Sequence, residues 1–67
     1  MIRSELNKKI LTFIQEYHDE NHWAPTVREI GAAIGVKSTS MVQGYLLDLQ
    51  DLGKIVYKGV RKIRVVE

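Results

Sequence analysis

His18 and His22 stand four residues apart, a spacing that lays two imidazoles on one face of a helix, and they are the first residues whose types could do chemistry. A protein-held zinc needs three or four side-chain ligands, and the chain has no cysteine and no third histidine. The pair also straddles the expected end of a helix. No metal site and no cofactor are expected. Serines, histidines and carboxylates are all present, yet nothing marks a nucleophile elbow or a phosphate-cradling glycine loop, and 67 residues leave little room for a pocket. An enzyme is therefore not expected. The remaining candidates are cations: Lys58, Arg61, Lys62 and Arg64 fall within the single run K-G-V-R-K-I-R.

That run carries most of an asymmetry hidden by the overall charge of +2. Residues 1–36 hold four bases against five acids, and residues 37–67 hold six against three, so the two parts carry −1 and +3. Concentrated positive charge suits a polyanion. A basic strand can also keep a sheet edge soluble, so charge by itself leaves both readings open.

The composition describes one domain over residues 1–67, with 45% hydrophobic and 27% charged residues. A domain this short buries only about 60% of its unfolded surface, so every element must contribute to one core. Without cysteine there is no disulfide framework, which fits a reducing setting. No apolar run exceeds three residues, against the roughly eighteen of a membrane span, and M-I-R-S-E-L-N-K-K lacks the apolar centre of a signal peptide. A soluble, cytoplasmic protein is expected.

Three helices and a two-stranded hairpin can be placed from periodicity. After Ser4, a candidate N-cap, Leu6, Ile10, Phe13, Ile14 and Tyr17 form the stripe of a first helix from about Glu5 to Glu20. Pro25 biases Ala24 toward extended geometry and makes a link of residues 21–25. Thr26 and Glu29 have the T-x-x-E spacing of a capping box, which starts a second helix from about Val27 to Ile34. Val27, Ile30 and Ile34 form its apolar face, and Gly31, Ala32 and Ala33 are small enough for another helix to come close. Gly35 stands where a C-cap favours positive φ. Ser38 and Thr39 are the next N-cap candidates, and Val42, Leu46, Leu49 and Leu52 stripe a third helix from about Thr39 to Leu52, ending at Gly53. The period then changes to two: Ile55 and Tyr57 alternate with Val56 and Lys58, and Arg61, Ile63 and Val65 with Lys62, Arg64 and Val66. This is a hairpin with its tip at about Lys58 to Val60.

The fold expected from that order is α+β: a winged helix-turn-helix of three helices with a C-terminal β-hairpin wing. The stretch from Ala24 to Ile55 resembles the N-terminal DNA-binding domain of the LexA repressor family. A-P-T-V-R-E-I is similar to that family's P-P-T-x-x-E-I start of the second helix, I-G-V-K-S to its L-G-F-x-S turn, and L-x-x-L-x-x-x-G-x-I closes the third helix. The resemblance implies sequence-specific binding of double-stranded DNA by a small bacterial, phage or mobile-element transcriptional regulator, a repressor being the family's type. The family's self-cleaving Ser/Lys domain and its dimerisation are not carried over, since the chain ends at Glu67. The family's base-reading stretch is rich in Asn and Glu, where this chain has Ser40, Gln43 and Gly44, which implies a different operator.

In a winged helix-turn-helix the third helix enters the major groove. At 100° per residue its outward face collects Ser40, Gln43, Gly44, Leu47 and Asp51. Gln43 can pair with adenine through two hydrogen bonds and Ser40 is a permissive reader. Gly44 permits close approach to the groove wall, and Leu47 can pack on a thymine methyl. Asp48 and Asp51 repel phosphate, so the helix is expected to enter by its N-terminal end. Helix N-termini make Thr26 with Arg28, and Lys37 with Ser38 and Thr39, natural phosphate anchors. Lys58, Arg61 and Lys62 on the wing, assisted by Lys54, are expected to touch backbone or minor groove. Trp23 and Tyr45 are expected to pack at the edge of the core. Two copies pairing on DNA, or attachment to a larger regulator or protein partner, are the expected assemblies. A second reading is a winged-helix protein–protein interaction module that docks through the face around Leu47.

Overall fold

A computed structural model describes residues 3–66 of the chain, Arg3 by its backbone alone. Three helices, α1 (Arg3–Asn21), α2 (Val27–Ile34) and α3 (Thr39–Asp51), precede two strands, β1 (Ile55–Tyr57) and β2 (Ile63–Val65). The order and class are those the periodicity predicts.

The apolar stripe of α1 faces inward. Ile10 and Ile14 are fully buried, Leu6 and Phe13 pack beside them, and the Phe13 and Tyr17 rings lie 5.7 Å apart at 52°. Ser4 falls inside the first turn of α1 and is not its N-cap. The helix ends where Asn21 Nδ2 donates to the Tyr17 carbonyl at 3.0 Å and His22 adopts a left-handed φ of 64°. Ala24 and Pro25 then occupy the buried positions of the link. Trp23 is left 52% exposed, outside the core edge expected for it.

Thr26 caps α2 as its spacing predicts. The Glu29 amide donates to Thr26 Oγ1 at 3.1 Å, and the Thr26 amide donates back to Glu29 Oε1 at 2.9 Å. Gly35 closes the helix at φ 77°, and the Val36 amide reaches back to the Gly31 carbonyl at 2.8 Å. Of the three small residues only Gly31 is buried, while Ala32 and Ala33 lie on the exposed side of α2. A Cβ on Gly31 would stand 2.6 Å from the Val36 carbonyl oxygen and 3.2 Å from Val42 Cγ2.

Ser38 caps α3 by accepting from the Met41 amide at 3.3 Å. Val42, Leu46 and Leu49 are buried, but Leu52 is 63% exposed. The stripe outruns the helix there: Leu52 is the C-cap, and Gly53 turns the chain at φ 74°.

The strands pair antiparallel with Ile55 opposite Val65, Val56 opposite Arg64 and Tyr57 opposite Ile63. Ile55 and Ile63 enter the core with Ile10, Ile14, Ala24, Ile30, Val42, Leu46 and Leu49. Gln50 Oε1 accepts from the Tyr57 amide at 2.7 Å, which ties the wing to α3. The connecting turn spans residues 58–62, wider than the tip read from the sequence, and is closed by the Lys58 amide on the Lys62 carbonyl at 2.9 Å.

Candidate nucleic-acid interface

With Val42, Leu46 and Leu49 buried, helical geometry turns the opposite side of α3 to solvent. Ser40, Gln43, Gly44, Leu47 and Asp51 are all exposed there, Leu47 by 50%. A Cβ on Gly44 would meet nothing within 4 Å, so packing within the chain places no demand for glycine at this position. Sequence reasoning gave no role to Met41, which is 52% exposed at the rim of the same face. Its signal was exclusion from the buried stripe one residue later.

Three of the five anchors expected at the helix N-termini line one cleft. A cleft of about 430 Å³ opens between the start of α2 and the start of α3, lined by Arg28, Lys37 and Thr39 over a floor that includes Gly31 and Val42. Thr26 and Ser38 stand at the two caps, each with its side-chain oxygen engaged by its own helix. Helix N-termini carry partial positive charge and free N–H groups, so the cleft's margins combine two helix ends with two cations. Lys54, Lys58, Lys62 and Arg64 are exposed toward and along the wing.

Arg61 is placed differently. Its Nη1 donates to the Ala24 carbonyl at 3.0 Å and lies 3.4 Å from the Tyr17 hydroxyl, while Nη2 pairs with Glu29 Oε1 at 3.3 Å. The Tyr17 hydroxyl in turn donates to Glu29 Oε2 at 2.6 Å. Glu29 is held below the ordinary carboxylate range, chiefly by the Tyr17 hydrogen bond, then by the Thr26 amide, with the Arg61 charge a lesser cause. The Arg61 guanidinium is pushed up, first by Tyr17 and then by the Glu29 charge.

His18 and His22 are both exposed, and among the described residues no group of three His, Cys, Asp or Glu side chains could hold a metal ion. No helix among them is long and apolar enough to cross a membrane.

Three helices, a Gly turn and a wing with an outward-facing third helix define a winged helix-turn-helix DNA-binding domain. Residues 4–61 match the sequence model described as the LexA DNA binding domain, and the chain belongs to that family. It is 45% identical over 58 residues to the LexA repressor of Oenococcus oeni, covering 87% of this chain and 27% of the relative. It is 46% identical over 52 residues to that of Acetivibrio thermocellus, covering 78% and 24%, and 42% identical over 50 residues to that of Carboxydothermus hydrogenoformans, covering 75% and 24%. The chain thus spans about a quarter of the length of these relatives.

Proposed function

We propose that this chain is the DNA-reading unit of a bacterial or phage-type transcriptional regulator that acts in the cytoplasm. In this reading α3 lies in the major groove, with Ser40, Gln43, Gly44 and Leu47 against base edges. Thr26, Arg28, Lys37, Ser38 and Thr39 hold one stretch of phosphate backbone, and Lys54, Lys58 and Lys62 hold another. The observation that carries it is the cleft that gathers Arg28, Lys37 and Thr39 beside the N-terminal end of the exposed α3 face. Asp48 and Asp51 sit near the other end of α3, which favours entry by the N-terminal half. Two copies on a symmetric site, or one copy carried by a larger regulator, are the assemblies this reading accommodates.

Selection from a random duplex pool, followed by titration at several salt concentrations, tests the reading. A specific site should emerge, and its symmetry reports the number of copies bound. Replacing Lys58 and Lys62 together by Ala should weaken all duplexes alike and reduce the log-log salt slope by about 1.8, as expected for two lost phosphate contacts. Affinity weaker than about 10⁻⁴ M at low salt, with no slope, would overturn it. Half-exposed Met41 and Leu47 favour the second reading, a protein-docking face, in that outcome.

A further inference from the structure

Arg61 lies in the wing turn, yet its guanidinium is bound by groups from three separate parts of the helical body. Tyr17 belongs to α1, Ala24 to the link and Glu29 to the first turn of α2. Among the described residues, the side-chain hydrogen bonds and ion pairs that join residues 58–62 to the helices all run through Arg61. The wing needs such a tie, because two strands of three residues are too short to hold a fixed angle alone. Its base is anchored by Ile55 and Ile63, whereas Val60 at the tip is exposed.

The acceptor is built for this donor. Glu29 already takes hydrogen bonds from the Thr26 amide and the Tyr17 hydroxyl, which fix its carboxylate in place before Arg61 arrives. Arg61 itself adopts a left-handed φ of 56°, a conformation that favours glycine over a long side chain. A backbone held there by a side chain reaching three acceptors is the arrangement of an over-determined position. The Arg61 side chain is still 43% exposed, so a phosphate reaching the same guanidinium would share it with Glu29.

We propose that Arg61 is a positioning residue that locks the wing to the helical body through Glu29, Tyr17 and Ala24, and so sets where Lys58 and Lys62 meet DNA. The part concerning DNA rests on the reading above; the lock itself does not.

The test uses Arg61→Ala, Arg61→Lys and Tyr17→Phe in this chain, at a temperature where circular dichroism shows every variant folded. Without DNA, backbone order parameters for residues 58–62 should fall in all three from about 0.85 toward about 0.6, while those of α3 hold. With DNA, Arg61→Ala should lose about fivefold in affinity with its salt slope kept, since the lysine contacts still form once the wing is captured. Arg61→Lys should recover little, because an ammonium cannot reproduce the guanidinium fork. Tyr17→Phe changes no charge, so its loss combined with Arg61→Ala should fall short of the sum. An unchanged wing in free Arg61→Ala and Tyr17→Phe overturns the lock. Full rescue by Lys with a slope reduced by about one contact in Arg61→Ala makes Arg61 a phosphate ligand instead. If the wild-type chain binds no DNA, the order parameters still decide the lock. If Arg61→Ala fails to fold, Tyr17→Phe decides it.

Discussion

Gly31→Ala and Gly44→Ala add the same methyl to two helices and should change stability in opposite directions. At Gly44 the new Cβ meets nothing within 4 Å, so the substitution keeps the full helix-propensity gain of about 1 kcal/mol. At Gly31 the same gain is set against a Cβ only 2.6 Å from the Val36 carbonyl oxygen and 3.2 Å from Val42 Cγ2. The nearer atom is backbone, and it belongs to the turn whose Val36 amide already bonds the Gly31 carbonyl. Relief requires the Val36 carbonyl in the turn to shift and Val42 to give slightly, at an overpacking cost of about 2–3 kcal/mol. The net loss is about 1–2 kcal/mol, or about 5–15 °C in Tm for a domain of this size. Urea and thermal unfolding followed by circular dichroism measure both variants. A neutral or stabilised Gly31→Ala would refute the claim that this position needs glycine for the close approach of the α2–α3 turn. If Gly44 lies against a groove wall, Gly44→Ala should gain Tm and lose DNA affinity together.

Gln43→Ala should change preference at a single base position by about 1–3 kcal/mol, measured by competition among duplexes that differ at one pair; uniform weakening across sequences would remove it from the readers. Acid sensitivity follows from Glu29. Its pKa in the folded chain is depressed, so its contribution is fully present above the ordinary value of 4.5 and is lost as pH falls from there through the folded-state value. Urea midpoints at neutral and acid pH should therefore converge for wild type and Glu29→Gln as pH drops. Tyr17→Phe, which removes the largest cause of the depression, should flatten the wild-type profile; an unchanged profile would contradict the assigned cause.

The helical part of the candidate site was legible because its determinants are local. A capping box needs two side chains three residues apart, and Gly35 marks a positive φ whatever packs around it. Burial of Val42, Leu46 and Leu49 follows from their spacing, and the exposure of Ser40, Gln43 and Leu47 is its geometric complement. Charge density grouped Arg61 with three lysines, and nothing local in the sequence showed that it also binds the helical body. Its acceptors lie 37 and 44 residues away at Ala24 and Tyr17, and no local pattern encodes such distances.

By itself, the sequence determined the order of the elements, the two helix starts, the core stripe of α3 and membership in the LexA DNA-binding family, whose model matches residues 4–61. Periodicity and capping act over a few residues, and those distances are already present in the chain. Only the tertiary structure decided that Gly31 alone of three small residues is buried, that Trp23 and Leu52 face solvent, and that Arg61 folds back onto Ala24 and Glu29. Each of these depends on how whole helices and the wing are placed against one another. That placement is set by the shared packing of Ile10, Ile30, Leu46, Ile55 and Ile63, contributed by every element at once.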